Sequence, residues 1–279
     1  MKTVGTDYLV YDVFTDRRFG GNQLAVFPDA TGLAEADLQK IAREFNFSET
    51  TFVYPPTDPA HTARVRIFTP TTEVPFAGHP TIGTAVALAE LGRGPEMVLE
   101  LGVGPLAARA ADGQATFTTE VPLARLALPD PGLVARALGV AEARIVSRPV
   151  MASLGLAFTF TEVDSRDTLT ALRPDLAAFR EGAEAYPQGF DFAQYIWVEE
   201  EGALHARMFA PLDDIPEDPA TGSAAATLAA LLAEARGSFV GTIRQGEDMG
   251  RPSRIEVEAV PGRVTVSGQA VRVMQGRLL

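Results

Sequence analysis

The chain has 279 residues, 46% hydrophobic and 22% charged, enough for one large globular domain or two modest ones. Twenty-four Lys and Arg stand against 36 Asp and Glu, and the net charge of −12 disfavours nucleic acid as a partner. With no cysteine, disulfides, thiolate nucleophiles and thiolate metal sites are excluded.

The first stretch, MKTVGTDYLVYDVF, has too short an apolar run for a signal peptide, and it alternates as a strand with one wet face. GNQLAVF (21–27) follows. LAEADLQKIAREF then places Leu38, Ile41, Ala42 and Phe45 on one helical stripe. SETTFV (48–53) leads into ARVRIF, and after a loop Thr81 to Leu91 reads as a helix apolar nearly all round, hence buried. EMVLEL and ATFTTEV are further strands. A Pro-rich crossing segment, VPLARLALPDPG, marks the boundary. It runs into a helix with Asp130 as N-cap, Pro131 at the first helical position and Gly139 as the stop. Ser223 to Ala233 reads as a second helix apolar on every side. The surrounding run, SAAATLAALLAEA, is too short and Ala-rich to span a bilayer. IEVEAV, RVTVSG and AVRVM close the chain as strands. No membrane partner and a cytoplasmic location are the default expectation.

The chain repeats itself. RIFTPTTEVPFAGHPTIGTAVALAELG starts at Arg66, and RMFAPLDDIPEDPATGSAAATLAALLAEARG starts at Arg207. Each has Arg-x-Phe-x-Pro, an acidic turn, a second Pro, a Gly-containing loop and a buried helix. GNQLAVF echoes LGLAFTF (154–160), and TTFVY (50–54) echoes QYIWV (194–198). Three matches in the same order indicate duplicated halves. The expected fold is α+β: two similar, pseudo-symmetric domains, each an antiparallel β-barrel-like sheet wrapped around a central helix. Residues 1–121 form the first and 122–269 the second. The pattern leaves open whether the last strand, 270–279, returns to the first.

Each loop delivers a helix N-terminus, with unpaired N–H groups and the positive end of the dipole, and small residues there (Gly78; Gly222 and Ser223) admit an anion such as a carboxylate. The first loop carries His79, and the second carries Asp218 and Ser223. Taken singly, each is also a plain cap or loop residue. Glu49 falls opposite Ala193 or Gln194 in the repeat, so the halves differ in charge there. A carboxylate near Phe45, Phe47 and Phe52 would have its pKa raised toward neutrality, fit to take and return a proton.

VYDVFTDRRFGGNQLAVF, FSETTFV, TPTTEVPFAGHPTIGTA and EDPATGSAA together resemble the phenazine-biosynthesis isomerase (PhzF-like) family, related in fold to diaminopimelate epimerase. The resemblance runs from about Tyr8 to the last strand. It implies a site in the cleft between two domains, cofactor-independent proton transfer on a small carboxylic acid, and a homodimer. It implies Glu49 as general acid/base, with His79, Asp218 and Ser223 lining the substrate and helping to relay the proton. Gly78, Thr221 and Gly222 would offer backbone contacts to a carboxylate, and Asn22 would shape the site. Two departures stand out. Gln23 occupies a position where the family often has Pro, and the paired cysteines of two-base epimerases are missing, so isomerisation by one carboxylate fits better than symmetric racemisation.

Rival readings have less support. A serine hydrolase elbow would need Gly where Thr221 and Ala225 stand. No two histidines have metal-ligand spacing, and no nucleotide-binding glycine motif occurs. A non-catalytic ligand-binding protein on the same scaffold is the alternative from another class.

Overall fold

In the computed structural model, residues 5–188 and 191–279 are described here; the opening four residues of the sequence lie outside this range. The chain divides into two compact units, one of residues 1–119 and 265–279, the other of residues 120–264.

The first unit begins with β1 (Thr6–Val13), β2 (Asn22–Phe27), α1 (Glu35–Phe45), β3 (Glu49–Tyr54), β4 (Ala63–Phe68) and the two-residue β5 (Glu73–Val74). It continues through α2 (Gly78–Glu90), β6 (Glu96–Leu101), β7 (Gly104–Ala111) and β8 (Gln114–Thr119). The second unit holds β9 (Ala124–Ala127), α3 (Pro131–Leu138), β10 (Val150–Ser153), β11 (Ala157–Glu162), α4 (Arg166–Ala171) and α5 (Leu176–Ala185). Then come β12 (Gln194–Glu200), β13 (Ala203–Ala210), β14 (Ile215–Asp218), α6 (Gly222–Arg236), β15 (Phe239–Gln245) and β16 (Ser253–Val260). The last strand, β17 (Arg263–Leu278), returns to the first unit and pairs antiparallel with β1, from Thr6 opposite Leu278 to Val13 opposite Ala270.

That return closes a ring in the first unit: β17, β1, β2, β3, β4, β6, β7, β8 and back to β17. Helix α2 lies against β1, β2, β3, β7 and β8, and all its residues from Gly78 to Leu88 are buried. In the second unit the run β9, β10, β11, β12, β13, β15, β16 curls around α6, which touches β10, β11, β15 and β16. Most neighbours are antiparallel, as the alternating strands suggest. Among the described residues, parallel junctions are β2 with β3 and β4 with β6 in the first unit, and β11 with β12 and β13 with β15 in the second. The cause is connectivity, since a strand reached through a helical crossover re-enters in the same direction.

A second apolar layer lies outside each barrel. In the first unit Leu38, Ile41 and Ala42 of α1 pack on Phe27, Phe52 and Phe68. In the second, Leu133, Val134, Leu138 and Phe179 cover Ile196, Val198 and Phe209. Asp130 caps α3 by accepting from the Leu133 N–H at 2.9 Å, and Gly139 ends it at φ 68°. Helices α4 and α5 lay outside the sequence-based expectation. Their caps were readable: Ser165 accepts from Thr168 N–H and Asp175 from Ala178 N–H.

The Arg-x-Phe repeat has a physical basis. Residues two apart on a strand share a face. Arg66 therefore lies over the Phe68 ring, 5.1 Å from its centroid, and Arg207 over Phe209 at 4.8 Å. Each guanidinium also forks onto a glutamate of the acidic turn, Arg66 onto Glu73 and Arg207 onto Glu217. Each fork fixes the turn that feeds a buried helix.

Asp213, in the turn before β14, is half-buried beside the charges of Asp191 and Asp214. Burial first, then these neighbours, push its carboxyl up to about 6. A carboxyl whose pKa rises on folding stabilises the fold at low pH, and that contribution is lost as pH climbs from about 4 to about 6. Asp213→Asn is therefore expected to raise the melting temperature at pH 7 and to flatten its pH dependence between 4 and 6. Thermal scans at pH 4 and 7 check this, and a lower midpoint at pH 7 in the variant contradicts it.

Candidate active site

The first unit assembles one cluster at the N-terminus of α2. Gly78 and His79 are its first two residues, Glu49 opens β3 and Asn22 opens β2. Their proximity follows from topology, because β2 and β3 run parallel with Leu24 opposite Glu49, so both strands start at the same end. Glu49 Oε2 lies 3.3 Å from His79 Nδ1. Asn22 Nδ2 lies 3.3 Å from the same nitrogen, and Ser48 Oγ donates to Asn22 Oδ1 at 3.3 Å. The His79 side chain is 3% exposed and that of Glu49 15%.

Strand alternation corrects one expectation. Glu49 and Thr51 share a face, and Thr51 accepts from Thr84 of α2 at 3.0 Å, so this face looks into the barrel. Phe52 is on the other face, packed with Phe27 and Phe68 beneath α1. It is not an apolar wall for Glu49.

Burial depresses His79 from 6.5 to about 3, against a smaller opposing effect of the Gln23 backbone, so the imidazole is neutral near pH 7. Nδ1 has either one lone pair or one N–H, and Asn22 Nδ2 can only donate, so in the Asn22 contact Nδ1 is the acceptor; in the other tautomer the Nδ1–H faces the Glu49 carboxylate 3.3 Å away instead. A histidine that loses basicity on folding opposes the fold at low pH, so its cost disappears as pH rises from about 3 to about 6.5. His79→Asn is expected to lessen the loss of stability between pH 6.5 and pH 4. Urea midpoints at the two pH values test this, and an unchanged pH slope contradicts it.

The loop entering this cluster is sterically fixed. Gly21 has φ +60°, and a Cβ there would come 2.2 Å from the Val13 carbonyl oxygen. The glycine lets the chain turn tightly before Asn22.

The second unit assembles another cluster at the N-terminus of α6. Asp218 ends β14 and is 4% exposed. Thr221 immediately precedes α6, and Gly222 and Ser223 are its first two residues. The Thr221 hydroxyl donates to Asp218 Oδ2 at 2.5 Å. Ser223 occupies the second helical position, as His79 does in α2, and is not the N-cap. Gln245, at the end of β15 and 1% exposed, grips this corner with both ends of its amide. Its Nε2 donates to the Asp218 carbonyl at 2.8 Å and to Thr221 Oγ1 at 2.9 Å. Its Oε1 accepts from Thr221 N–H and from Tyr195 Oη, both at 3.2 Å. Burial, then the nearby Asp218 charge, push the Tyr195 phenol far above its ordinary range. Sequence reasoning missed Gln245 and Tyr195. The available signal was parity, since Gln245 sits two residues after buried Ile243, a polar group on an apolar face.

Strand register resolves what stands opposite Glu49 in the repeat. Phe52 pairs with Arg66, and Ile196 pairs with Arg207. Counting back three residues sets Glu49 against Ala193. The second half has no carboxylate at that position.

The profile of the family described as phenazine biosynthesis-like protein (PhzC-PhzF) matches residues 11–276. The chain belongs to that family. It is 41% identical to an uncharacterized isomerase of Mesorhizobium japonicum, covering 98% of each chain. It is 35% identical to the trans-2,3-dihydro-3-hydroxyanthranilate isomerase of Pseudomonas aeruginosa, covering 97% of this chain and 98% of that one. The fold matches a Bacillus anthracis PhzF-family structure with a TM-score of 0.87 at 24% identity, covering all of both chains. A probable proline racemase of Agrobacterium radiobacter matches with a TM-score of 0.65 at 16% identity, covering 98% and 93%. The chain thus stands in a family of isomerases and epimerases with a fold of the diaminopimelate epimerase type. Among the described residues no helix is long and apolar enough to cross a membrane, and no group of three or more His, Asp or Glu is arranged to hold a metal.

Proposed function

We propose that this protein is a cofactor-independent isomerase that moves one proton on a small carboxylic acid, with Glu49 as the proton carrier. The observation that carries the reading is the 3.3 Å approach of Glu49 Oε2 to a buried, neutral His79 at a helix entry, with Ala193 at the matching position of the other half. One base acting on one substrate face suits a 1,3-shift. Glu49 takes a proton from an acidic C–H, the C–H pair forms a new double bond to the neighbouring carbon, the existing double bond opens to put its pair on the far carbon, and Glu49 returns the proton there.

His79 lies beside the Glu49 carboxyl, and Asn22, donating to Nδ1, fixes the imidazole. In this proposal Asp218 and Ser223 act on the same substrate. The N–H groups of Gly78, Thr221 and Gly222 hold its carboxylate, since helix N-termini favour anions. The name of the Pseudomonas aeruginosa relative makes trans-2,3-dihydro-3-hydroxyanthranilate the first compound to try.

The test is solvent deuterium incorporation by NMR in D₂O, with that compound and a panel of cyclic and acyclic amino and hydroxy acids. Isomerisation or exchange with any of them supports the reading. Exchange with none, alongside tight binding of one, would favour a ligand-binding protein.

A further inference from the structure

The two halves can be superimposed residue by residue through their strand pairing. Ala63 pairs with Leu99 and Arg64 with Glu100; Leu204 pairs with Ile243 and His205 with Arg244. One step further on, Leu101 of β6 is the counterpart of Gln245 of β15. The glycines that follow confirm this. A Cβ on Gly102 would strike Pro75, and one on Gly246 would strike Pro219, the matching proline. The same offset sets Val74 against Asp218 and Ala77 against Thr221.

Three apolar residues in the first half, Val74, Ala77 and Leu101, are thus replaced together by Asp218, Thr221 and Gln245. The fold builds this corner without polar groups in one half, so it does not need them in the other. A buried polar amide is costly unless fully satisfied. Gln245 is satisfied on all four counts, and its bonds have a direction. Because Nε2–H donates to Thr221 Oγ1, the hydroxyl must turn its own proton elsewhere, and Asp218 Oδ2 is 2.5 Å away.

We propose that Gln245 is a positioning residue that aims the Thr221 hydroxyl proton at Asp218 and thereby holds Asp218 as an ionised acceptor. This rests on the reading of Asp218 as a site residue. A hydrogen bond donated to a carboxylate favours its charged form. Titratable neighbours of this corner are Tyr195 of β12, Glu217 beside Asp218 on β14, and Arg207 of β13, which forks onto Glu217. Tyr195 anchors the far side of the same amide.

The discriminating variant is Gln245→Glu. It keeps an acceptor for Tyr195 and Thr221 N–H, loses both donors, and offers the Thr221 hydroxyl a second carboxylate. Gln245→Met removes the amide without adding charge and controls for folding. The measurement is the titration of the Asp218 carboxyl carbon by NMR in protein labelled with carbon-13 aspartate, its signal assigned through Asp218→Asn. The pKa of Asp218 is expected to rise by about one unit or more in Gln245→Glu, and by less in Gln245→Met, with both variants retaining cooperative melting. An Asp218 titration unchanged in both folded variants overturns the proposal.

This readout needs no substrate. It separates the role of Gln245 from the isomerase reading, which stands or falls on Glu49→Gln and the exchange assay. Where the wild type turns over a panel compound, the acid limb of kcat/KM should shift upward with Asp218 in Gln245→Glu. A limb that stays in place while Asp218 moves assigns that limb to another group and sinks the link to Asp218 chemistry.

Discussion

Glu49→Gln is expected to lower turnover and solvent exchange by about 10³-fold or more, while leaving substrate binding and melting temperature close to wild type. The size follows from the role: a positioned general acid/base contributes about 10²–10⁴-fold, and here one group serves both proton steps. Glutamine has the same shape and fills the same space beside His79, so the packing of β3 against α2 survives. What it lacks is a proton that can come and go. The rate of deuterium incorporation and the affinity for 3-hydroxyanthranilate, a stable aromatic counterpart of the first test compound, separate the effects. If exchange persists in the variant, the carrier is another group, with Asp218 and His79 next in line. If affinity collapses along with exchange, Glu49 is a binding residue instead.

Arg207→Met is expected to destabilise the second unit by about 3–5 kcal/mol, the cost of stranding one partner of a buried ion pair. Arg207 is 8% exposed. Its Nε and Nη2 each donate to Glu217 at 2.8 Å. Its Nη1 reaches the carbonyls of Leu169, Thr170 and Leu172 at the end of α4, at 3.0, 3.2 and 3.4 Å. Methionine fills similar space over Phe209 but leaves Glu217 and those carbonyls without the guanidinium. The corresponding change in the first unit, Arg66→Met, is expected to cost about 1 kcal/mol or less, since Arg66 and its partners Glu35 and Glu73 face water to a greater degree. Calorimetry of both variants reads the contrast as a melting shift several-fold larger for Arg207. Equal small shifts would refute the account of the second fork. Partial recovery in the Arg207→Met, Glu217→Gln double variant would place the penalty on the stranded carboxylate.

How far sequence reasoning reached can be traced to particular residues. The duplication was legible because its markers are local: an arginine two residues from a phenylalanine, a nearby glutamate, and a helix of small apolar residues. Each has a short-range physical purpose, so each leaves a short-range pattern. Glu49, His79, Asn22 and Asp218 were legible as candidates for a related reason, being polar groups at the ends of elements otherwise written in apolar residues. The face on which Glu49 lies followed only from pairing, because Phe52 is near in sequence but across the strand. The parallel junctions were hidden, since a strand's own pattern does not state its neighbour's direction. Gln245 was hidden for the same kind of reason: its partners lie 24, 27 and 50 residues away. Its significance emerges only when Leu101 is set beside it by register.

The pairing of β1 with β17 has a consequence for biosynthesis. The first unit is split by the second, which is one uninterrupted segment. A ribosome supplies about 5–20 residues per second, so the opening strands wait on the order of ten seconds or more for the strand that completes their barrel. During that interval the second unit is being synthesised, while β1 and β8 present open edges to the cell. A nascent chain in this state is a natural client for holding chaperones, and messages that stall ahead of β17 should yield aggregates rather than a usable half-protein.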